Sequence, residues 1–404
     1  MTVWLVSFFE NTPIDDNQNT RYNALVKEAL QRNHHVVFWA STFKHNTKSQ
    51  RFDKSTTIPV QEGLTLTFIR SQSYQKNIGI PRLYSHFVLG KDVVKAMESA
   101  PQKPDVVVMA YPPISTAYEV VRWCKGKDIP IIIDIIDPWP ELFERKLQKL
   151  PKPLSKLIFS PQNKKAKFVF QNATAVTAIS NQYLDWAKKY EPAITTACFY
   201  PAIDGPTVAQ QLSEAAQAVP EKPSTFKVIY AGSLGYSYDI PCILEAAQLL
   251  QHETDIQFAI AGLGPQQPLV ENAAQVLPNL TYLGRLSKTQ LMLEYYTAHV
   301  GLTQHVKGAT QSVTYKLFDL LSCGLPIINS LESEMKAIIV DNTVGFHHNP
   351  GDARALAEAI LTLKNNPERY QEMRQNAKAL FLAKGDSQKV YAQFLDFIEA
   401  NTLS

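Results

Sequence analysis

Cysteine, net charge and long apolar runs are all scarce in this chain, and each shortage argues against a class of protein. Its four cysteines, Cys124, Cys198, Cys242 and Cys323, stand far apart and form no C-x-x-C pair. That spacing argues against a disulfide framework or a structural zinc site and for reduced, buried thiols. The formal charge is only +3. A nucleic-acid binder needs a dense basic face, and the chain has no RNP-like aromatic motif, zinc-finger spacing or long basic run. No stretch approaches the roughly 18 to 20 apolar residues that span a bilayer. The opening MTVWLVSFFEN lacks a basic n-region and a small-residue cleavage site, so it reads as a strand and not as a signal peptide. A cytoplasmic protein is expected, with peripheral contact at the inner face of the cell membrane left open. The chain also lacks a G-x-G-x-x-G fingerprint, which disfavours a plain NAD oxidoreductase. It lacks a D-x-D triplet as well, so a metal-bridged diphosphate is not expected.

What is present is ordinary globular composition, 404 residues with 45% hydrophobic and 19% charged, enough for two domains. Short apolar runs alternate with helical patterns. Strands are expected at 3–9, 34–41, 64–70, 105–111, 129–136 and 173–180, with helices at 21–32 and 85–100. Apolar strands alternating with helices indicate α/β domains with parallel sheets covered on both faces. Segment 201–225 holds four prolines and no β-rich run, and reads as a linker with a short helix. A second α/β series follows, with strands at 226–233, 256–262, 280–284, 300–304 and 326–330 and a helix at 312–323. The boundaries are a first domain over 1–200, the linker, a second domain over 226–385 and a last helix in 386–404. Ligands are expected at the carboxyl ends of the strands and in the cleft between the domains.

The second half carries the more informative residues. Its first strand ends in AGSLGYSYD and its second in AGLGP. Gly232, Ser233, Gly235, Gly262 and Gly264 therefore lie where backbone can approach a ligand, or where two tight turns simply need small residues. In QSVTYKLFDLLSCGLPIINS, Ser312 or Thr310 is positioned to cap a helix. Free N–H groups over Ser312, Val313 and Thr314 would then offer a phosphate site. Lys316 sits in the first turn, where a cation opposes the helix dipole unless an anion lies over the helix end. The competing reading is an ordinary surface ion pair between Lys316 and Asp319. The His347-His348 pair has no partner at metal spacing and is read as surface.

Together these segments, with YLGRL and DNTVGFHHNPGDARALAEAI, resemble the C-terminal half of the GT-B retaining glycosyltransferases of family 4. The resemblance covers about 226–366 well. The N-terminal half is similar, less specifically, to the branch that makes bacterial surface polysaccharides, through IIDIIDPWPELF and FWASTFKHNTKSQR. The resemblance implies two Rossmann-like domains, acceptor-binding and then nucleotide-sugar-binding, with the last helix crossing back to the first. It implies transfer of a hexose-type sugar from a nucleotide-diphosphate donor to a glycan or polyprenyl-linked acceptor, without cofactor or metal. Gln311 and Asp319 fall on the family's two acidic positions, eight apart. Gln311 would then hydrogen-bond the donor sugar and Asp319 the ribose. The family's Arg/Lys pair after the first glycine loop is missing here. Lys316 is the first candidate to replace it, then Arg285 and Lys307; Arg285 is otherwise placed at the nucleobase.

In the first half, Asp137 ends a buried strand and matches the position at which relatives touch the donor sugar. It would orient the sugar and stabilise an oxocarbenium-like centre, or else cap the following helix. Glu141, Arg21 and His45 are candidate acceptor contacts, with Asp16, Asn17, Lys48 and Arg51 beside them. Segment 144–167 carries eight Lys and Arg against one Glu, interleaved with leucines. It is either a solvated helix face or a resting surface on anionic lipid. Gln311 and the missing basic pair also admit a catalytically silent partner on the same fold, and the fold admits a nucleotide-sugar epimerase.

Overall fold

The computed structural model describes residues 1–16, 20–76, 79–146, 152–219 and 224–402. The chain divides into two compact units, Met1–Tyr200 with Val390–Ser404, and Pro201–Lys389.

The first unit holds β1 (Thr2–Val6), α1 (Arg21–Gln31), β2 (His35–Ser41), β3 (Phe43–Lys44), β4 (Ser49–Gln50), β5 (Thr56–Gln61), β6 (Leu64–Ile69), α2 (Ile80–Glu98), β7 (Val106–Tyr111), α3 (Ile114–Lys125), β8 (Ile131–Ile135), α4 (Glu141–Lys146), α5 (Lys152–Gln171), β9 (Ala175–Ala178), α6 (Asn181–Lys188) and β10 (Thr195–Cys198). Its eight-stranded sheet runs β10-β9-β8-β7-β1-β2-β6-β5. All pairings are parallel except β5 on β6. The central strands are buried along their whole length. Such strands read in sequence as unbroken apolar runs, which is why they are visible there. Strand order reverses between β1 and β7. The edge strand β5 and the β3–β4 ribbon are additions to the sequence reading.

The second unit holds α7 (Gly205–Ala218), β11 (Phe226–Ala231), α8 (Ile240–Leu249), β12 (Ile256–Ala261), α9 (Gln267–Val276), β13 (Leu280–Gly284), α10 (Lys288–Thr297), β14 (Val300–Thr303), α11 (Tyr315–Ser322), β15 (Ile327–Asn329), α12 (Glu334–Asp341), β16 (Gly345–His347), α13 (Ala353–Asn365) and α14 (Pro367–Lys384). Its parallel sheet has the order β13-β12-β11-β14-β15-β16. The reversal lies between β11 and β14, so ligands in a sheet of this kind bind beyond the carboxyl ends of those two strands. The expected linker segment carries α7, which Asp204 caps through Thr207 N–H. That helix lies in the second unit and packs on α10. The last helix, α15 (Ser387–Ala400), belongs from Val390 onward to the first unit. There Phe394, Leu395 and Ile398 are fully buried.

Candidate active site

The reversal point of the second sheet collects several polar atoms without a hydrogen-bond partner among the described residues. β11 ends at Ala231, and Gly232 follows with the Lys316 side chain against it. A Cβ on Gly232 would stand 2.6 Å from Lys316 Nζ. The ammonium lies over the Tyr230 ring at 3.8 Å and 5.4 Å from the Tyr238 ring centroid. Nζ is buried and has no hydrogen-bond partner among the described residues. Burial pushes its pKa down from 10.5 to about 7, against the attraction of Asp319. Lys316 and Asp319 form no ion pair, so the surface-pair reading fails for a physical reason: the amine turns inward onto the aromatic rings. The Asp319 carboxyl is pushed up to about 6 by burial, with Lys316 and Lys288 opposing.

Across the reversal, β14 runs into His305, which the sequence reading missed. Its ring is 1% exposed and packs 5.0 Å from the Tyr238 ring. Neither ring nitrogen makes a well-aligned hydrogen bond among the described residues, although the Thr303 backbone lies near enough to favour the protonated ring. Burial first, and Lys316 second, lower its pKa to about 4, so the imidazole is neutral at pH 7. The loop around it is pinned. His305 N–H donates to Ser330 Oγ, and that hydroxyl donates back to the His305 carbonyl. Gln304 donates to the Ile328 carbonyl and meets His348 Nε2 at 2.8 Å. His348 is therefore a buried structural residue, not a surface one. The only sequence signal for His305 is its place, one polar residue at the end of a buried strand.

The helix of this site starts later than the sequence suggests. Thr314, and not Ser312 or Thr310, is the N-cap of α11, and its side chain makes no capping hydrogen bond. The hydroxyl donates instead to Met335 Sδ at 3.6 Å. Val313 and Ser312 are buried, and the Ser312 carbonyl accepts from Ser333 Oγ. The Thr314 side chain thus gives the first N–H groups of α11 no cap. Gln311 Oε1, just before them, is also buried without a partner among the described residues. Arg285 and Lys307, the alternative cations, are both exposed.

The glycines serve the backbone as well as any ligand. A Cβ on Gly262 would lie 1.7 Å from the Gly232 carbonyl oxygen, and one on Gly264 2.6 Å from the Leu234 carbonyl carbon. Their close approach is to the neighbouring strand-end loop, which they let nest against β12. Gly235 is half-buried, its carbonyl accepting from Gln266 Nε2, and Ser233 is exposed.

In the first unit, Asp137 and Glu141 follow β8 and are half-buried. Glu141 lies 3.9 Å from Lys189, and Asp137 faces Arg82 electrostatically. His45 meets the Tyr74 hydroxyl at 2.8 Å and Lys48 at 3.3 Å. Arg21 is a correction: it is 1% exposed. It donates twice to Asp134 and once to the Phe199 carbonyl, and it lies over the Phe394 ring, so it is tied into the interior and not presented to an acceptor. Arg51 is likewise committed, to Asp15. Asn17 lies outside the described residues, as do 147–151 of the basic segment; in its described part Leu157 and Ile158 are exposed. Among the described residues no group of three His, Cys, Asp or Glu is placed to hold a metal, and no helix is long and apolar enough to cross a membrane.

Residues 213–380 match the family model described as "Glycosyl transferases group 1". The fold is GT-B. The chain is 16% identical to sucrose-phosphate synthase of Thermosynechococcus elongatus, with 99% of this chain and 98% of that one covered at a TM-score of 0.71. It is 13% identical to Anabaena HepE, solved in complex with UDP, with coverage of 99% and 100% and a TM-score of 0.69. A curated relative, phosphatidyl-myo-inositol mannosyltransferase of Mycobacterium leprae, is 25% identical over 119 residues, 29% of this chain. The match spans 31% of that relative's length.

Proposed function

We propose that this chain, whose residues 213–380 form a group 1 glycosyltransferase domain on a GT-B fold, is a retaining glycosyltransferase of family 4 that takes its sugar from a nucleoside-diphosphate donor. The observation that carries this reading is the set of polar atoms with no well-aligned hydrogen bond among the described residues at the β11/β14 reversal: Lys316 Nζ, both His305 nitrogens and Gln311 Oε1. Buried polar groups are normally satisfied, so this set marks a place that a ligand completes. The solved relatives with UDP and UDP-glucose support the ligand class.

In this reading the diphosphate lies over the start of α11, which the Thr314 side chain does not cap. Lys316 is protonated as it binds and, with a His305 N–H, stabilises the charge that develops on the leaving phosphate. Asp319 holds the ribose hydroxyls, Gln311 a sugar hydroxyl, and Arg285 the base. Asp137 orients the sugar and steadies the oxocarbenium-like centre. The acceptor hydroxyl attacks from the face the leaving group departs. Its proton passes to the leaving phosphate oxygen, so configuration is retained without a protein base. The acceptor is a glycan or a polyprenyl-linked glycan of bacterial surface polysaccharide synthesis, and Glu141 and His45 are its first contacts. The exposed Leu157 and Ile158, in a helix that also holds Lys164 and Lys167, support resting on an anionic membrane face. In this reading the Lys316 ammonium, helped by a His305 N–H donor, stands in for a metal at the diphosphate.

The test is turnover of a panel of UDP-, GDP- and ADP-sugars with polyprenyl-diphosphate and free glycan acceptors in excess EDTA. One donor is expected to give a product with its anomeric configuration retained. Loss of all turnover on chelation overturns metal independence. A donor that binds without any product points to a silent binding partner, and Gln311 in place of a carboxylate is the feature that would favour it.

A further inference from the structure

In the first unit α3 packs on both α2 and α5, and the outward residues of these helices are not those of a solvated surface. On α2, Leu83, Tyr84, Phe87 and Lys91 recur at helical spacing and all are exposed, Leu83 by 52% and Tyr84 by 54%. On α5, Leu157 is 72% exposed, and Ile158, Pro161, Lys164 and Lys167 are exposed as well. An apolar cluster left open to water and edged by charge marks an interaction surface.

Rings and cations join the three helices across it. Lys165 of α5 lies 5.6 Å from the Phe87 ring of α2 and 5.7 Å from the Tyr118 ring of α3, and donates to Ser115. Lys91 lies over Phe87 at 4.5 Å, Arg122 over Tyr118 at 5.9 Å and Lys125 over Phe168 at 5.9 Å. The Tyr118 and Phe168 rings meet at 4.9 Å. The apolar stripes of α2 and α5 are therefore parts of one face. Its charge is one-sided. The three helices hold ten Lys and Arg against three Asp and Glu, while the rest of the chain holds 30 against 34. Of those three acids, Glu119 is taken up by Arg122 and Glu98 by Lys127.

The order along the helices also matters. On both α2 and α5 the apolar residues come first and the exposed lysines follow. Lys91 comes after Leu83, and Lys164 after Leu157, by two helical turns, about 10 to 12 Å. With the apolar ends at the acyl boundary of a bilayer, these lysines stand among the headgroups, within a Debye length of about 10 Å of the lipid phosphates. Apolar area and attraction to anionic lipid then act together.

We propose that this face docks on an anionic lipid bilayer. Leu83, Tyr84, Leu157 and Ile158 enter the acyl boundary, and Lys91, Lys164 and Lys167 meet the lipid phosphates. Its purpose, presenting the first unit to a lipid-linked acceptor, rests on the transferase reading; the contact with lipid does not.

The test is flotation of the full chain with vesicles of phosphatidylcholine, alone or mixed with phosphatidylglycerol, at low and high salt. At low salt the mixed vesicles are expected to bind at least roughly a hundredfold more tightly, because each cation near an anionic surface contributes a factor of about five. Lys91→Gln, Lys164→Gln and Lys167→Gln together are expected to remove most of that preference. Leu83→Ser with Tyr84→Ser, and Leu157→Ser with Ile158→Ser, are each expected to abolish the binding that survives high salt. All seven positions are exposed, so each variant is expected to keep the wild-type melting temperature. Equal binding to both kinds of vesicle, or wild-type binding by the Leu83→Ser, Tyr84→Ser protein, overturns the proposal. So does a lipid-free dimer that the same variant disperses, because the face then belongs to a second copy of the chain. Thermal response to nucleotide sugars, read on the same samples, separates the two claims. Vesicle binding without that response keeps the docking face and removes the transferase reading; the response without vesicle binding does the reverse.

Discussion

Lys316 is where the chemistry of the second unit is concentrated. A buried amine with no anion beside it is destabilising, and the Tyr230 face compensates only in part, by about 1 to 2 kcal/mol. Lys316→Met keeps the stem that packs on Tyr230 and removes the charge. UDP-sugar affinity is then expected to fall roughly ten- to a hundredfold, since a hydrogen bond to a charged group contributes about 1.5 to 3 kcal/mol. The melting temperature of the empty protein is expected to hold or rise. Paired calorimetry and thermal melts check both; a lower melting temperature with unchanged affinity would make Lys316 a structural residue. The sign of the pH effect follows from the depressed pKa. Between about 7 and the unfolded value of 10.5 the unfolded chain holds the extra proton. Raising pH through that window therefore stabilises the wild type relative to Lys316→Met. Donor binding runs the other way: above pH 7 it takes up a proton, and affinity declines as pH rises. Binding enthalpies measured in buffers of different ionisation heat should differ accordingly.

At the scale of elements, a buried knot ties α1 to β8 and β9. Asp134, fully buried in the middle of β8, accepts from Arg21 in α1, from the Tyr22 hydroxyl and from Thr177 in β9. Asp134→Ala would leave the Arg21 guanidinium buried without its anion. A loss of about 3 to 5 kcal/mol in denaturant unfolding is expected, with UDP affinity unchanged in whatever protein remains folded. A loss below 1 kcal/mol would contradict the structural role assigned to Arg21. This pair also shows where sequence reading stops. Arg21 looked like a loop-end cation facing a ligand, and only its three-dimensional neighbour reveals that it is spent. The buried parallel strands were legible because both faces are apolar. β5 was not, because an antiparallel edge strand with Pro59 and mostly exposed residues carries no such run. α2 begins at Ile80, five residues before the pattern suggests, which is why Leu83 and Tyr84 went unnoticed beside Phe87. Lys316 stands out in the sequence as a cation in a first helical turn, and Gln311 and Asp319 only through the family resemblance, whereas His305 is a single letter after a strand.

For the whole molecule, two sheets each reverse strand order once, and the second reversal gathers Lys316 Nζ and Gln311 Oε1, which have no hydrogen-bond partner among the described residues. The first unit depends on the chain's end, where Arg32 reaches Asp396 at 2.6 Å and Glu399 at 3.1 Å. The central claim concerns the second unit: a nucleotide sugar completes the site formed by Lys316, His305, Gln311 and Asp319. Thermal unfolding with a panel of nucleotide sugars tests it most directly. A ligand at a hundred times its dissociation constant should add about 2.7 kcal/mol, and His305→Ala and Lys316→Met should both shift that response to higher ligand concentration. An unfolding midpoint that no nucleotide sugar moves, or one that moves equally in wild type and both variants, would place the donor elsewhere or remove it altogether.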